Sequence, residues 1–434
     1  MVALYLTALL IRPAILDDHL GFLDNGKIRL GVDLNLGGAI TYLSKSDSDV
    51  NVVNSADWGR QIQMSHYSGP NLFAPHGKRP TKAWEGLGWN PIQVGDSFGN
   101  RSKLLAYRND GKSIYVKCIP MQWPLNNEPG ECTFECWFKL DGQAVQVRSR
   151  MLNARADHTQ YEGRDQELPA VYTNGPWYRL MTYSGDKPFS GDKLSQQPPV
   201  FMWRGWQATE NWAALVDDSN FGLGVWHPGA YSFIGGFAGK TGAGGPHDDP
   251  TGYIAPVLKE MIDWNVDYDY RYTLILGKLD EIRKYVYDRA KRPTPPNYDF
   301  GKGRQHWVYR RAVDQGWPIR GGIHVTANSS HAELIGPDGF WLASEAPKLT
   351  LDATFAEGTR GAIVFWKRFG EPSFLPGNSM KLPIVPDGKD HRIVLDLVES
   401  PEYRGAITGV GLDVESASTT DHAQFVIRRI SFGR

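Results

Sequence analysis

The chain has 434 residues, which is too long for one ordinary hydrophobic core, so we expect two domains. Its 47 Lys and Arg residues nearly balance its 48 Asp and Glu residues, giving a formal net charge of −1. Because no basic field is available to hold nucleic acid or an anionic membrane, we expect neither nucleic acid binding nor membrane insertion. The 15 Trp, 19 Tyr and 47 Gly residues favour an all-β protein, and the aromatic rings also suit the flat faces of sugars.

The first 20 residues begin with the apolar run MVALYLTALLIRPAIL. This run lacks a basic n-region and a clear small-residue cleavage site, and it is too short to span a bilayer. We expect residues 1–20 to be a leader or an edge segment, and the run favours a secreted or periplasmic protein.

Strand patterns follow one another from Gly21 to about residue 277. The predicted strands are Lys27–Asp33, Gly37–Leu43, Val50–Asn54, Ser113–Pro120, Cys132–Leu140, Gln143–Leu152, Trp212–Val216, Phe221–Trp226, Ile254–Trp264 and Asp269–Gly277. A long excursion from Asp57 to Asn100 interrupts them. A second unusual stretch, Asn153–Tyr178, concentrates charges of both signs, a His and several Tyr residues, and we predict that it contains a long ordered loop that carries functional groups.

One helix pattern covers Leu279 to Ala290, with acidic residues in its first turn and apolar residues at helical spacing. The Pro-rich run 291–296 that follows predicts a linker. Beyond it, strand patterns with turn signals predict a β-sandwich of residues 297–434. The predicted domains are therefore 21–290 and 297–434, joined by 291–296.

The first domain resembles the galactose mutarotase-like supersandwich of carbohydrate-active enzymes, although it matches no specific family. The resemblance rests on the paired strands Ile28–Asp33 and Gly37–Leu43, the run Asn54–Arg60 and the closing strand Tyr270–Gly277. It implies a large antiparallel two-sheet fold that carries the catalytic site.

The second domain resembles the jelly-roll carbohydrate-binding modules of polysaccharide-degrading enzymes. The residues that carry this resemblance are Ala362–Trp366, Asp387–Leu397, Tyr403–Ile407 and Gly411–Asp413. The fold class that we predict is all-β, a supersandwich followed by a smaller β-sandwich.

The supersandwich resemblance implies a sugar cleft on a concave sheet, lined by several loops. Arg and Gln side chains bind vicinal hydroxyl groups, and aromatic rings with carboxamides suit a sugar subsite. The residues that we predict to bind substrate are Arg60, Gln63, His66, Tyr67, Trp89, Asn90, Arg164 and Trp203. The plainer interpretation of Arg60, Gln63, His66 and Tyr67 is a solvated edge strand. The plainer interpretation of the Trp residues is that they anchor their segments in the hydrophobic core.

Glycoside hydrolysis needs one protonated and one ionised carboxyl group. Glu167 directly precedes the apolar run Leu168–Val171, where partial burial would raise its pKa. Asp165 lies in the same acidic stretch and Arg164 beside it offsets the charge; an Arg–Glu network that closes the loop is the structural alternative. The predicted catalytic residues are Glu167, Glu260, Glu162 and His227.

These patterns favour a carbohydrate-active enzyme that acts on an oligo- or polysaccharide, most directly a glycoside hydrolase. The alternatives are a polysaccharide lyase on the same fold, using Tyr and His residues, and a non-catalytic glycan-binding protein. We expect no cofactor and no catalytic metal. The acidic run His247–Asp249 either makes a turn or holds a structural calcium ion.

Overall fold

The computed structural model describes residues 19–198, 202–418 and 422–434. The predicted leader lies outside the described residues except for His19 and Leu20, and Leu20 begins the first strand. Two pairs of antiparallel sheets make up the fold, so the all-β prediction is confirmed. No helix of the described segments is long and apolar enough to cross a membrane.

The first pair of sheets contains nineteen strands between Leu20 and Lys278 of the described chain. They are β1 (Leu20–Asp24), β2 (Ile28–Asp33), β3 (Ala39–Lys45), β4 (Ile62–Ser65), β5 (Pro91–Ile92), β6 (Lys103–Asn109), β7 (Ser113–Ile119), β8 (Met121–Gln122), β9 (Cys132–Asp141), β10 (Ala144–Asn153), β11 (Arg164–Asn174), β12 (Arg179–Thr182), β13 (Ser195–Gln196), β14 (Arg204–Gln207), β15 (Trp212–Val216), β16 (Phe221–Trp226), β17 (Ser232–Ala238), β18 (Thr251–Glu260) and β19 (Asp267–Lys278).

The ten-stranded sheet has the order β1-β2-β3-β4-β11-β18-β17-β14, with β5 paired to β4 and β8 paired to β5. The nine-stranded sheet has the order β13-β12-β15-β16-β19-β10-β9-β7-β6. Their inner faces share one core, because side chains such as Leu30 and Ile254 from the first sheet pack with Phe134 and Leu274 from the second. We call this pair the first sandwich.

The second sandwich consists of two six-stranded sheets. Its strands are β20 (Asn297–Asp299), β21 (Val308–Arg310), β22 (Ala312–Asp314), β23 (Ile323–Ala327), β24 (His331–Ile335), β25 (Trp341–Leu342), β26 (Lys348–Phe355), β27 (Thr359–Arg368), β28 (Ser379–Lys381), β29 (Asp390–Asp396), β30 (Ala406–Ser416) and β31 (Gln424–Gly433). One sheet has the order β22-β23-β31-β26-β29 with β20 on β31, and the other has the order β21-β24-β30-β27-β28 with β25 on β30.

The α-helix α1 spans Leu279–Tyr287, three residues shorter than predicted. Its first turn is fixed by Glu281, whose carboxylate accepts a hydrogen bond from the Lys278 amide at 2.8 Å. Its apolar face, predicted from the spacing of Ile282, Tyr285 and Val286, is buried against β15 and β16. Short 3-10 helices occupy Leu34–Leu36, Pro75–Gly77, Lys82–Leu87, Ala343–Glu345 and Leu397–Glu399.

The first sandwich differs from the prediction at residues 50–54, at β17 and at the start of β11. Residues 50–54 form no strand, and only a single bridge joins Val53 to Thr173. The strand β17 was not predicted, because its Gly-rich sequence has weak β propensity. The strand β11 begins at Arg164, inside the stretch that we expected to be loop.

The two sandwiches meet at a buried ionic cluster around Arg304, which we call the Arg304 cluster. The guanidinium of Arg304 lies 2.6 Å from a carboxylate oxygen of Asp263 in the first sandwich and 2.6 Å from one of Asp314 in the second. Gln160 donates hydrogen bonds to both carboxylates, at 3.2 Å and 2.7 Å. The loop 154–163 therefore binds the two sandwiches together.

Candidate functional site

A large cavity lies on the outer face of the ten-stranded sheet, opposite the shared core. Along β4, Gln63 and Ser65 face the cavity while Ile62 and Met64 face the core. Along β18, Val257 and Lys259 face the cavity in the same alternation. The pleat of the strands thus separates cavity from core, one residue in two.

The cavity has a volume of about 910 Å³, which is within the range of small-molecule sites. Its lining combines aromatic rings, cations, carboxylates and carboxamides. The residues that the argument below uses are Asp57, Arg60, Gln63, Tyr67, Trp84, Asn90, Trp123, Arg164, Asp165, Glu167, Tyr172, Trp203 and Lys259.

An irregularity in β11 brings the central residues of this strand into the cavity. The register with β18 shifts between Glu167 and Val171. As a result Asp165 and Glu167 face the cavity before the shift, and Ala170 and Tyr172 face it afterwards. Such bulges re-aim side chains, and here the shift lets one strand supply both carboxylates and an aromatic ring.

Glu167 is the carboxylate at the centre of the sheet that faces the cavity. Burial raises its pKa above the ordinary value of 4.5, because the charged form loses hydration. The hydroxyl groups of Tyr253 and Tyr67 oppose this effect in part. A carboxyl group with a raised pKa, open to a cavity, is suited to donate a proton.

Tyr67 and Tyr253 flank Glu167 as neutral phenols. Burial, together with the nearby Glu167 charge, holds the pKa of each hydroxyl well above its usual value. The ring of Tyr253 lies 4.7 Å from that of Tyr172, so the floor of the cavity under Glu167 is aromatic. Both phenols are therefore protonated at neutral pH and can donate hydrogen bonds.

Three cations surround this centre with different partners. Arg60 binds the carboxylate of Asp57 at 2.9 Å, and Lys259 binds that of Asp165 at 2.9 Å. Arg164 forms no ion pair within the described residues and donates to neutral oxygens only, including the carbonyl of Leu87 at 2.6 Å. Burial lowers the pKa of Arg164, while Tyr67 and Asp165 oppose the shift.

Aromatic rings form the wall of the cavity at its outer side. Trp84 and Trp123 meet edge to face, with 5.8 Å between ring centroids. Trp203, which is 51% exposed, lies 6.4 Å from Tyr253 across the cavity floor. Exposed indole rings around a polar centre provide flat apolar surfaces of the kind that sugar rings contact.

Two of the predicted carboxamides line the cavity while holding its wall in place. The amide nitrogen of Gln63 donates to the carbonyls of Trp58 and Arg60, and its oxygen accepts from the Val94 amide at 3.1 Å. Asn90 donates to the His66 carbonyl at 2.9 Å, and its side-chain oxygen is buried with no partner among the described residues. Both carboxamides therefore hold the wall of the cavity in place.

The structure brings seven of the twelve predicted site residues together in the cavity. They are Arg60, Gln63, Tyr67, Asn90, Arg164, Glu167 and Trp203. The other five lie elsewhere. His66, Trp89 and Glu260 are each one residue away from a cavity-facing neighbour and point to the other side of the sheet. Glu162 is an exposed residue of the loop 154–163, and His227 follows β16 of the other sheet.

His66, His227 and Glu260 belong to a second group of titratable residues, arranged around Tyr270 between the sheets. The rings of His66 and His227 lie 6.1 Å and 6.2 Å from that of Tyr270. Glu260 accepts a hydrogen bond from Tyr268 at 2.9 Å and pairs with His306. This group lies on the core side of β18 and is separated from the cavity by the sheet.

The two buried histidines make the fold sensitive to acid. Burial lowers the pKa of His66 and of His227 from 6.5 to about 4. Each ring is therefore neutral in the fold, and its contribution to stability is complete above pH 6.5 and is lost as the pH falls towards 4 and below. His306 acts in the opposite sense, because Glu260 raises its pKa.

We expect His227→Phe to reduce the loss of stability in acid by about 2–3 kcal/mol between pH 7 and pH 4.5, since the variant has no ring to protonate. Urea titrations at the two pH values measure the free energies of unfolding. The exposed His247→Phe is the matched control and should behave as the wild type does. Equal acid losses in the wild type and His227→Phe would contradict the assignment.

Several cavity residues were missed by sequence reasoning. The strand β18 shows why, because a one-residue error in strand phase exchanges cavity and core: we chose Glu260, whereas its neighbour Lys259 lines the cavity. Tyr172 stood in an apolar run and gave no polar signal. Trp123 lies in the polar loop after β8. An isolated aromatic residue in a polar loop is a signal from which the sequence could have predicted a binding residue.

The acidic run His247–Asp249 makes a turn in the structure. A carboxylate oxygen of Asp248 accepts a hydrogen bond from the Gly245 amide at 2.7 Å, and Asp249 contacts Arg60 through its backbone carbonyl. Across the described parts of the chain, no group of three or more His, Cys, Asp or Glu side chains is placed to hold a metal ion.

Solved structures similar to this chain include a putative aldose 1-epimerase, galactose mutarotase-like proteins and an alpha-galactosidase. A putative aldose 1-epimerase from Escherichia coli K12 matches with a TM-score of 0.41 and 12% identity, over 60% of this chain and 99% of that one. A galactose mutarotase-like protein from Lactobacillus casei matches with a TM-score of 0.38 and 10% identity, over 59% of this chain and 99% of that one. An alpha-galactosidase from Geobacillus stearothermophilus matches with a TM-score of 0.36 and 10% identity, over 64% and 43% of the two chains.

No protein-family model and no curated protein sequence matches the chain. These similar structures agree with the galactose mutarotase-like resemblance that we inferred from the sequence. Their TM-scores lie below 0.5, so the function proposed below rests on the residues of the cavity.

Proposed function

We propose that this protein is a carbohydrate-active enzyme, specifically a glycoside hydrolase in which Glu167 protonates the leaving oxygen. The observation that carries the proposal is the position of Glu167: a carboxyl group with a raised pKa at the centre of an aromatic-walled cavity of about 910 Å³. Raised pKa and access to a ligand are the two properties that a general acid in glycoside hydrolysis needs.

Asp165 is the partner carboxylate in this proposal. It lies two residues before Glu167 on the same face of β11, which puts the two Cα atoms about 6.6 Å apart. The ion pair with Lys259 holds Asp165 at the cavity. In the proposal Asp165 acts as the second carboxylate that glycoside hydrolysis needs, either as general base or as nucleophile.

The sugar is positioned in the proposal by groups that the fold leaves available. Trp84, Trp123 and Trp203 offer ring faces to the sugar. The ion pair with Asp57 fixes the orientation of the Arg60 side chain, so its guanidinium is already in position to contact a ligand.

A second candidate reaction is β-elimination on a uronate-containing polysaccharide, and Arg164 is the observation that favours it. Its guanidinium lines the cavity, is half-buried and has no carboxylate partner within the described residues. An uncompensated cation next to Tyr67 would neutralise a uronate carboxylate while the phenol moves a proton.

Purified protein incubated with a panel of neutral and uronate-containing polysaccharides distinguishes the two reactions. New reducing ends without ultraviolet absorbance of an unsaturated product support hydrolysis, and the appearance of that absorbance supports β-elimination. If no substrate on the panel gives either product, the enzyme proposal fails.

The variant Tyr67→Phe provides a second experiment that distinguishes hydrolysis from β-elimination. Under hydrolysis, loss of the hydroxyl removes an interaction that lowers the pKa of Glu167, so the alkaline limb of the pH–rate profile moves to higher pH and kcat stays within about ten-fold. Under β-elimination, loss of the proton-transfer group lowers kcat by about 10²-fold or more. The measurement is kcat and kcat/KM across pH for wild type and variant.

A further inference from the structure

The end of β18 connects the cavity to the second sandwich. Lys259 lines the cavity and pairs at 2.9 Å with Asp165, which lies opposite it on β11. The next residue, Glu260, faces the other side of the sheet and pairs with His306 of the second sandwich. Met261 then packs in the hydrophobic core of the second sandwich. Three consecutive residues thus join the wall of the cavity to the other sandwich.

The start of β11 is held at the same place. Arg164 lies opposite Glu260 in the register of β11 and β18. Gly163, which precedes it, lies so close to Val308 of β21 that a Cβ atom on Gly163 would come within 2.5 Å of the Val308 side chain. The second sandwich therefore packs directly against the strand end that brings Arg164 and Asp165 to the cavity.

One short segment of the second sandwich, residues 304–308, makes these contacts, and we call it the 304–308 arm. Every second residue of the arm contacts the first sandwich: Arg304 contacts Asp263, His306 contacts Glu260 and Val308 contacts Gly163. Gln305 and His306 both have a left-handed backbone, with φ of 53° and 65°. Such conformations cost free energy in residues other than Gly and persist where the surrounding contacts impose them.

We propose that the 304–308 arm positions the residues at this edge of the cavity for catalysis, with His306 acting through Glu260. The arm fixes the strand ends that carry Asp165 and Lys259. This inference rests on the proposed function and deepens it, because it makes the second sandwich part of the catalytic apparatus and not a separable module.

The proposal predicts an effect on kcat more than on substrate binding. A shift of a reacting group by about 1 Å costs up to about 10²-fold in rate. The rings of Trp84 and Trp123, which contact the sugar in the proposed function, are carried by other segments of the first sandwich. Binding of the sugar therefore depends less on the arm than the position of Asp165 does.

The test compares two substitutions of nearly the same size, His306→Asp and His306→Asn. Both tolerate a left-handed backbone, but Asp repels the Glu260 carboxylate, whereas the Asn amide donates a hydrogen bond to it from the position of Nδ1. The control His331→Asp makes the same change at a similarly exposed His–carboxylate pair, with Asp413, elsewhere in the second sandwich.

Hydrogen exchange of the whole chain measures the hold on the strand ends without any substrate. We expect His306→Asp to speed exchange of the amides of 163–167 and 257–261 about ten-fold, while the amides of 144–153 in β10 keep their wild-type rates. His306→Asn and His331→Asp should match the wild type at all of these amides. The proposal is overturned if His306→Asp leaves the strand ends unchanged, speeds β10 equally, or is matched by His306→Asn.

A second variant covers the case in which His306→Asp does not fold. Gly163→Ala places a methyl group against Val308 and so displaces the arm at its other contact. The amides of 163–167 and 257–261 should again exchange faster while those of β10 do not. Wild-type exchange at these strand ends in Gly163→Ala would contradict the proposal.

Kinetics on the polysaccharide that the panel identifies complete the test. His306→Asp should lower kcat about 10- to 100-fold and leave KM within about three-fold, and His306→Asn should restore most of kcat. Wild-type kcat in His306→Asp despite faster exchange would overturn the positioning role. Faster exchange at the strand ends, with no substrate turned over by the wild type, would support the hold of the arm on these strands while the proposed function fails.

Discussion

Replacing Glu167 with Gln is expected to lower kcat by about 10²- to 10⁴-fold on a substrate with a poor leaving group, because the amide does not donate the proton that the leaving oxygen needs. The loss should be much smaller on an aryl glycoside whose leaving group departs without protonation. Such a split between the two substrates identifies a general acid, whereas a merely structural role would affect both equally. The measurement is kcat and kcat/KM for wild type and variant on both substrates.

Glu162→Gln is the matched control for this experiment. Glu162 is an exposed residue from the same stretch of sequence and lies outside the cavity. Its replacement should leave kcat and kcat/KM unchanged on both substrates. If Glu167→Gln retained wild-type activity, or if Glu162→Gln lost as much as Glu167→Gln, the role assigned to Glu167 would be wrong.

The same variant should be more stable than the wild type at pH values above the folded pKa of Glu167. Since burial raises the pKa of Glu167 above 4.5, its stabilising contribution is complete only below the pKa of the unfolded chain and is lost as the pH rises through the folded pKa. Above the folded pKa the wild type holds a poorly hydrated charge that the Gln variant lacks. The gain in stability should therefore disappear in acid, which separates loss of activity from loss of folding.

Strand phase explains which part of the site was predictable from the sequence. The residue types of the cavity were anticipated, because Arg, Gln, Tyr, Asn and Glu in a strand-rich stretch have little reason to be there unless they face a polar space. Which neighbour faces that space depends on the register of each strand, and the sequence contains no marker of it at Trp89–Asn90 or Lys259–Glu260. The shift within β11 exchanges the phase once more between Glu167 and Ala170.

In the loop 154–163 the residue types themselves led to a wrong prediction. Its density of charged and aromatic residues predicted a catalytic loop, and only its last residue, Gly163, lines the cavity. Its other polar residues maintain the loop itself or the interface between the sandwiches: Tyr161 donates to Asp157 at 2.5 Å, and Gln160 joins the Arg304 cluster. Ion-pair networks and active sites use the same residue types, so composition alone does not separate them. The fold class was easier to predict from the sequence than the site, since alternating strand patterns and turn residues are local features.

Removing the charge of Arg304 is expected to destabilise the protein by about 3–5 kcal/mol, because Arg304→Met leaves the carboxylates of Asp263 and Asp314 buried without their counter-ion. Burial alone would raise the pKa of Asp314, but the hydrogen bonds and charge of Arg304 lower it, so both partners are ionised in the wild type. Urea titrations followed by tryptophan fluorescence measure the free energy of unfolding. The control Arg392→Met breaks an exposed pair with Asp352 and should leave the free energy of unfolding close to that of the wild type.

A triple variant, with Arg304→Met, Asp263→Asn and Asp314→Asn together, tests whether the uncompensated charges cause the loss. It removes all three charges while the Asn oxygens still accept the hydrogen bonds that Gln160 and the Trp317 amide donate. We expect it to recover most of the stability that Arg304→Met loses, since replacing a complete buried ionic group is far less costly than removing one member. If the triple variant were as unstable as Arg304→Met, the loss would instead come from the packing of the Arg304 side chain between the two sandwiches.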